Sequence, residues 1–134
     1  MQWRAVAPII GATIATGADF ELTAAPGVHH VPVIGVRARD LNGGGVVVFG
    51  ADGEPSPGIQ ALAQGADWLV HEATGAFGGH STAEAAAELA RTAGVRKLLL
   101  VHLASSANDL DTHRRAAAIF GDVILASDLD RYEF

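Results

Sequence analysis

The chain contains no cysteine. Disulfide bonds and thiolate metal sites are therefore excluded, and any metal ion must be held by imidazole and carboxylate groups. Long apolar runs are absent as well, since none approaches the ~20 residues of a membrane-spanning helix. The start of the chain also lacks the charged and apolar order of a secretion signal. We therefore expect a cytoplasmic protein without a membrane span.

Basic residues are few and scattered along the chain. Nine lysines and arginines stand against 15 aspartates and glutamates, which gives a formal net charge of −6. Nucleic-acid-binding surfaces need clustered lysine and arginine to neutralise phosphates. The sequence therefore argues against extended DNA or RNA binding, while a small molecule or a single phosphodiester in a pocket stays compatible with it.

What the chain does have is enough apolar sequence for one folded domain. It has 134 residues, of which 49% are hydrophobic, and a chain of this size can bury a substantial core. It contains no internal repeat and no low-complexity linker. We therefore predict that residues 1–134 form a single domain.

The first half of the chain has the pattern of antiparallel strands. Residues 20–24 alternate between apolar and polar side chains, and residues 31–39 form a second candidate strand. Pro32 would then lie near the start of a strand or at a sheet edge. A glycine-rich turn at residues 42–45 leads into an apolar strand at 46–49. These segments predict an antiparallel meander.

In the second half, strands alternate with helices. The predicted helices are 57–64, 82–93 and 109–120, and the predicted strands are 67–70, 98–101 and 123–126. Ser81 or Thr82 is placed to cap the second helix, and Gly94 is placed to end it. This alternation indicates βαβ crossovers. The predicted fold class is therefore α/β, with a mixed sheet and helices on one face.

Histidines and acidic residues follow the apolar segments in a fixed order. Four of them come within three residues after predicted strands: Asp52, His71, Glu72 and His102. The carboxyl ends of strands are where an α/β sheet collects its functional groups. We therefore expect these side chains to meet at one edge of the sheet.

Taken singly, each of these residues also has an ordinary structural explanation. Asp52 lies in an Asp-Gly pair, which is common in turns, and His71 and His102 are compatible with buried core positions. His80 precedes the second predicted helix, whose N-terminus attracts anions, but Ser81 alone can matter there as the cap. The ordered combination of these residues favours a functional site.

The remaining histidines are expected to contribute less. His29 and His30 are neighbours on an extended segment and would point to opposite sides, so at most one of them can face a site. His113 lies on a predicted helix beside Arg114 and Arg115. We expect His113 to be a solvated surface residue.

The candidate residues lie within six short segments that occur together in one superfamily. The segments are His29-x5-Gly35-x-Arg37, Phe49-Gly-Ala-Asp52-Gly, Gly65-Ala-Asp67-Trp-Leu-Val-His71-Glu-Ala-Thr74, Gly79-His80-Ser81-Thr82-Ala-Glu, Ala93-Gly94-Val-Arg-Lys-Leu-Leu-Leu-Val-His102-Leu and Gly121-Asp-Val-Ile-Leu-Ala-Ser-Asp128-Leu129. In this order they resemble the metallo-β-lactamase superfamily, close to its ribonuclease Z-like branch. The resemblance extends over nearly the whole chain and implies the C-terminal half of an αββα sandwich.

The resemblance implies a metal site. His29, Asp52 and His102 resemble zinc ligands of the superfamily, and Asp52 resembles the aspartate that bridges two ions. Two histidines and one carboxylate can hold one metal ion with open positions. The expected cofactor is therefore zinc, held by a reduced set of ligands.

The resemblance also implies catalytic roles. His71 resembles the histidine that assists the leaving group, His80 resembles its supporting partner, and Glu72 is placed to orient it. The implied reaction is hydrolysis of a phosphodiester or ester-like bond.

The sequence departs from the superfamily pattern in several places. The signature His-x-His-x-Asp-His is missing, because no two histidines lie two residues apart. Gly53 follows Asp52 where threonine is usual, and Ala104-Ser105-Ser106 follows the last histidine where Ser-Pro or Ser-Arg is usual. Half of the sandwich would leave an apolar sheet face in water. We therefore expect either a twofold homodimer or a separate partner chain that carries the missing motif.

Two functions of different class follow from these observations. The first is a zinc-dependent hydrolase that works as a dimer or with a partner chain. The second is a non-catalytic remnant or interaction module that keeps the half-fold. A partner carrying the missing signature would favour the first. The substrate itself is not predicted, because loops and the missing half would determine it.

Overall fold

The computed structural model describes residues 5–104 and 110–133, and their secondary structure forms one mixed sheet with helices. The strands are β1 (Ala12–Thr16), β2 (Phe20–Pro26), β3 (Ile34–Asp40), β4 (Val46–Phe49), β5 (Trp68–Glu72), β6 (Lys97–Val101) and β7 (Val123–Leu125). The helices are α1 (Pro57–Ala63), α2 (Ala83–Ala93) and α3 (Leu110–Ala117). The predicted α/β class is confirmed.

The sheet divides into an antiparallel and a parallel part. β1 to β4 pair in antiparallel fashion, and β4 to β7 pair in parallel, with each strand next to its neighbour in the sequence. The helices supply the crossovers between the parallel strands, as the sequence predicts. β1 was not predicted, because five residues of small and β-branched side chains give a weak strand signal. Residues 31–33 precede β3 instead of belonging to it.

The helices pack on one face of the sheet and form the core. α2 begins at the cap Thr82, whose side chain accepts a hydrogen bond from the Ala85 N–H at 3.1 Å, and it ends at Gly94 with φ of 65°. Both positions agree with the sequence prediction. The buried residues of α2 are mostly alanine, and small side chains let the helix lie close to Leu69 and Leu98 of the sheet.

The opposite face of the sheet carries a continuous apolar row. The strand register aligns one residue from each of six strands: Ala24, Val36, Phe49, Val70, Leu99 and Ile124. Successive residues of a strand point to opposite faces, so the row points away from core residues such as Val48. Phe49 is 49% exposed. Among the described residues, no helix packs over this apolar row.

His113 on α3, the last helix along the chain, is not a surface residue as the sequence predicts. His113 is half-buried on α3, and its Nε2 lies 3.0 Å from the carbonyl oxygen of Val123, so it ties α3 to β7. The prediction of a solvated His113 is therefore wrong.

Two sequence predictions fall outside the described residues. They are the start of a helix at Asp109 and the difference from the superfamily pattern at Ser105 and Ser106. The described helices are all too short to cross a membrane.

Candidate active site at the carboxyl edge of the sheet

The carboxyl ends of β4, β5 and β6 lie side by side, because these strands are parallel neighbours. Asp52 follows β4, Glu72 ends β5 and His102 follows β6. The Asp52 carboxylate lies 3.1 Å from His102 Nδ1, and both side chains are about half exposed. The Thr74 hydroxyl donates to the His102 carbonyl oxygen at 2.9 Å and lies 3.1 Å from His102 Nδ1. The sheet thus brings Asp52 and His102 into contact.

Two residues at this edge adopt the left-handed conformation without being glycine. Ala51 has φ of 61° and His102 has φ of 49°. This conformation is unfavourable for residues with a Cβ, and such outliers cluster at functional sites. Each one turns the chain directly after a strand. The turn at Ala51 precedes Asp52, and the turn at His102 occurs at the histidine itself.

Replacing Ala51 with glycine is expected to stabilise the protein by about 1 kcal/mol, because glycine tolerates positive φ. Urea denaturation at neutral pH measures the change. Ala61→Gly on the exposed side of α1 is the matched control, and it is expected to lower the free energy of unfolding by about 1 kcal/mol. Equal destabilisation by both substitutions would show that Ala51 is not strained.

Glu72 organises the site although it is completely buried. Its Oε1 accepts hydrogen bonds from the N–H groups of Gly53 and Ser81, at 3.2 and 2.9 Å, and its Oε2 accepts one from the Thr74 N–H at 2.8 Å. His80 Nδ1 lies 2.9 Å from the same Oε1. One carboxylate therefore joins two loops, the one after β4 and the one between β5 and α2, and orients a histidine.

The hydrogen bonds keep Glu72 ionised. Burial by itself raises the pKa of Glu72, but the hydrogen bonds from Thr74, Ser81 and Gly53 outweigh it and lower the pKa overall. An ionised carboxylate only accepts hydrogen bonds. The Nδ1 of His80 therefore carries a hydrogen, and His80 Nε2 is left free to face the open edge.

His29 and His30 lie beside His80. The ring centroids of His29 and His80 are 4.8 Å apart, those of His29 and His30 are 4.7 Å apart, and those of His80 and His102 are 5.8 Å apart. The expectation that only one of His29 and His30 can face a site is wrong. Both residues lie in an irregular segment between β2 and β3, where the alternation of a strand does not apply.

The described residues contain two groups of three side chains whose potential ligand atoms lie within 4.8 Å of one another. The groups are His29 with His30 and His80, and Glu72 with His80 and His102. Neither contains Asp52. Among the described residues, Asp52 contacts His102, but the three predicted metal ligands His29, Asp52 and His102 do not form one such group.

His71 lies on the other side of the strand. It is 1% exposed, its Nδ1 lies 2.9 Å from the Glu72 carbonyl oxygen, and its Nε2 is buried without a hydrogen-bond partner among the described residues. β5 extends through Glu72, so alternation turns His71 toward the helices and Glu72 toward the site. A ring buried in this way does not reach a substrate, contrary to the role that the resemblance implied.

Burial lowers the pKa of His71 below its ordinary value of about 6.5, although the Glu72 carbonyl and carboxylate partly oppose this. The unfolded chain therefore takes up this proton at higher pH than the folded chain. The contribution of His71 to stability is present above about pH 6.5 and is lost as the pH falls toward the lower folded pKa.

We expect the free energy of unfolding to fall below pH 6.5 with a His71 contribution of up to about 1.4 kcal/mol per pH unit. His71→Leu removes this contribution, whatever its effect at neutral pH. Urea denaturation of both proteins at pH 7.5 and 5.5 measures the two slopes. Identical slopes would contradict a buried neutral His71.

Sequence reasoning missed two residues that hold the site together. Glu54 accepts a hydrogen bond from the Gly79 N–H at 2.8 Å, and its own N–H donates to the Val28 carbonyl oxygen at 2.9 Å. Thr74 contacts His102, as described above. No sequence pattern indicates a role for Glu54, because its hydrogen-bond partners Gly79 and Val28 are distant from it in sequence. Thr74 lay within a recognised segment but had no assigned role.

Basic side chains of the matched segments lie away from this edge. Arg37 donates to the carbonyl oxygens of Leu62 and Gln64 at the end of α1, at 2.8 and 3.2 Å. Arg96 pairs with Asp67 at 3.0 Å, at the amino end of the parallel strands. These arginines stabilise the fold, and they are not placed to bind an anion beside His80.

Comparison with known proteins identifies the family. A ribonuclease Z from Bacillus licheniformis is 40% identical in an alignment 117 residues long, which covers 79% of this chain and 37% of that protein. The metallo-β-lactamase-fold protein YhfI from Bacillus subtilis superposes with a TM-score of 0.71 at 26% identity, over 84% of this chain and 48% of that chain. The chain belongs to the metallo-β-lactamase superfamily, in its ribonuclease Z-like branch. The resemblance seen in the motifs is thereby confirmed.

A second solved structure shares the fold of this chain but is much longer. The short form of human tRNase Z has a TM-score of 0.71 at 23% identity, over 89% of this chain and 45% of that chain, which is a likeness of fold. No family profile matches the chain. The chain spans less than half the length of each of these relatives. The predicted metallo-β-lactamase-type sheet with helices on one face is confirmed.

Proposed function

We propose that the chain provides the site of a zinc-dependent hydrolase for phosphodiester or ester-like bonds. The observation that carries the proposal is the meeting of two polar pairs at one sheet edge. Asp52 contacts His102, and Glu72 contacts His80. The first pair supplies donors for a metal ion, and the second supplies an oriented imidazole. Similarity to ribonuclease Z over most of the chain supports the same reaction class.

The residues present fit zinc by their chemistry. His29 Nδ1 lies 2.6 Å from the Gly79 carbonyl oxygen, which only accepts hydrogen bonds, so His29 Nε2 is free to bind a metal. Proteins commonly orient zinc-binding histidines through such a contact. We assign His29, Asp52 and His102 as the residues that would hold the ion. When bound, zinc supplies Lewis acidity that activates water near neutral pH.

His80 takes the role that the resemblance gave to His71. Glu72 holds the Nδ1–H of His80, and the side chain of His80 is 18% exposed, so Nε2 can take up a proton from water and the resulting imidazolium can give it to a departing oxygen. Glu72 is a positioning residue, since it acts through His80. His71 supports the fold beneath them.

Hydrolysis of bis(p-nitrophenyl) phosphate and p-nitrophenyl acetate by the purified chain, with zinc, tests the proposal. Asp52→Asn is expected to lower zinc-dependent turnover by at least about tenfold, because it removes a ligand charge. The matched control is Asp122→Asn, an exposed acid at the opposite end of the parallel strands. Equal rates for wild type and Asp52→Asn would reject the assigned metal site.

We further propose that a second copy of the chain covers the apolar row. Phe49 and its neighbours would face the same residues across a twofold axis, since self-association of one face is isologous. Light scattering at micromolar concentration is expected to show a dimer. Phe49→Glu is expected to give a monomer with unchanged helical circular dichroism. A monomeric wild type would reject self-association and leave a separate partner chain.

The apolar row also favours the second candidate function, an interaction module without catalysis. In that case the row binds a partner, and the polar pairs at the edge only hold loops together. The two candidates differ in one measurable respect. A module forms its complex at full affinity in the Asp52→Asn and His80→Ala variants and shows no zinc-dependent turnover in the wild type.

A further inference from the structure

We propose that residues 127–133 form a strap that closes over the sheet face carrying the apolar row and competes with a second copy of the chain for that face. The strap follows β7 and contains Tyr132. The ring centroids of Tyr132 and Trp68 are 6.1 Å apart, which is a contact distance for aromatic pairs. The competition rests on the self-association proposed above, and the strap regulates it.

Trp68 belongs to the face that carries the apolar row. It points to the same side of β5 as Val70, because the two are two residues apart on the strand, and it is not part of the core beneath the helices. Trp68 is nevertheless only 7% exposed. The Tyr132 ring contacts its indole, and the Lys97 ammonium lies 5.1 Å from the indole centroid. The strap therefore supplies part of the cover that no described helix gives to this face.

A turn directs the strap back over the sheet. The Asp130 N–H donates to the Ser127 carbonyl oxygen at 3.2 Å, and Leu129 between them has φ of 72°. β7 ends at the carboxyl edge of the sheet, whereas Trp68 begins β5 at the amino edge. To bring Tyr132 to Trp68, the strap runs back from the carboxyl edge across the level of the apolar row.

The hydrogen bonds of the strap stay within it. The Tyr132 hydroxyl accepts from the Ser127 N–H at 3.3 Å and donates to the Asp130 carboxylate at 3.4 Å. Among the described residues, the strap makes no hydrogen bond to the sheet. Leu129 is fully exposed, and its positive φ is unfavourable for a residue with a Cβ. Opening the strap therefore removes the aromatic contact with Trp68 and leaves the turn itself intact.

The strap and a second sheet cannot occupy the face together. Sheets that pack face to face lie about 10 Å apart with interdigitated side chains, which leaves no room for a segment between them. The strap also carries three exposed acidic residues against one exposed Arg131, namely Asp128, Asp130 and Glu133. A dimer that kept the strap in its interface would bury two copies of this acidic segment, and burying unpaired charges is costly. A second copy therefore displaces the strap.

Displacement makes dimerisation depend on how often the strap is open. Both copies must open, so the apparent dissociation constant of the dimer rises as the inverse square of the open fraction. An open fraction of about one third raises it about tenfold. Removal of the Tyr132 ring is therefore expected to tighten the dimer, although it takes away apolar surface. A tyrosine that only contributed a contact between the two copies would have the opposite effect.

Sedimentation equilibrium of the full chain tests the competition. We expect Tyr132→Ala to lower the dissociation constant of the dimer about tenfold relative to wild type. Phe77→Ala is the matched control, because Phe77 is an aromatic residue of the loop between β5 and α2 and is 64% exposed. It should leave the constant unchanged. An equal or weaker dimer in Tyr132→Ala would overturn the competition.

Tryptophan fluorescence tests the cover in the single chain. Trp3→Phe leaves Trp68 as the only tryptophan, and Phe49→Glu is expected to keep the chain monomeric. In this background we expect Tyr132→Ala to increase acrylamide quenching about twofold, because the indole becomes accessible from the sheet face. Unchanged quenching would overturn the strap. Absence of association in every variant would reject self-association and the competition with it, while the quenching still decides whether the strap covers Trp68.

Discussion

Replacing Glu72 with alanine is expected to lower the free energy of unfolding by about 3–5 kcal/mol. The carboxylate is completely buried and accepts hydrogen bonds from three backbone N–H groups in two loops. Its removal leaves the N–H groups of Gly53, Thr74 and Ser81 without this partner, and each unpaired buried donor costs about 1–3 kcal/mol. Urea denaturation followed by circular dichroism measures the loss. A protein of this size tolerates such a loss poorly.

Two further substitutions make the Glu72 result specific. Glu72→Gln keeps one acceptor oxygen, and we expect roughly half the loss of Glu72→Ala, because the NH2 that replaces the other oxygen cannot accept from an N–H. Glu88→Ala on α2 is the control, since the Glu88 side chain is half exposed and its ion-pair partner among the described residues is Arg91. Surface ion pairs of this kind contribute little to stability, because water and salt screen them. Equal midpoints for the Glu72→Ala and Glu88→Ala variants would contradict the organising role of Glu72.

The second large effect is expected on catalysis. Replacing His80 with alanine is expected to lower kcat for phosphodiester hydrolysis by about 10²–10⁴-fold, which is the usual contribution of a positioned proton donor. KM should change much less, because His80 is assigned to the departing oxygen and not to substrate binding. Steady-state kinetics with saturating zinc measures both constants. His113→Asn, which alters a histidine on α3, is the control for loss of an imidazole elsewhere.

Chemical rescue distinguishes a proton-transfer role of His80 from a structural one. Imidazole in the buffer is expected to restore part of the activity of His80→Ala, because a small imidazolium ion can enter the space left by the ring and supply the proton. It should not restore Asp52→Asn, which lacks a metal ligand. An unchanged kcat in His80→Ala, or a loss that imidazole leaves untouched, would contradict proton donation by His80.

Much of the fold follows from local sequence signals. Thr82 and Gly94 mark the ends of α2, and the apolar segments of β4 and β6 are continuous and bounded by turns. Such signals depend on neighbours in sequence, which is why they can be read without the structure. β1 escaped prediction because its short, small residues become a strand only through pairing with β2.

The site was harder to predict, because it depends on the exact end of one strand. The edge itself was foreseen from Asp52, His71, Glu72 and His102. β5 continues through Glu72, and a shift of one residue moves a side chain to the other face. His71 therefore lies in the core, and Glu72 lies at the site. His30 joined the cluster because its segment is irregular, which no periodic pattern describes.

Burial of the apolar row by a second sheet is expected to affect the proposed active site. The chain spans 48% of the length of YhfI, a protein of the same fold. The row lies on the sheet face opposite the helices, and a second sheet packed there would exclude water from one side of the site. Exclusion of water strengthens electrostatic contacts such as that between Asp52 and His102. Association through the row is therefore expected to support hydrolysis as well as stability.

The decisive measurement is hydrolysis of bis(p-nitrophenyl) phosphate before and after removal of metal. The purified chain is treated with a chelator, freed of it, and then given one equivalent of zinc per site. We expect turnover to disappear with the metal and to return with zinc in the wild type, but not in Asp52→Asn. Turnover that survives complete removal of metal, or that zinc restores equally in Asp52→Asn, would contradict a zinc-dependent hydrolase at this edge of the sheet.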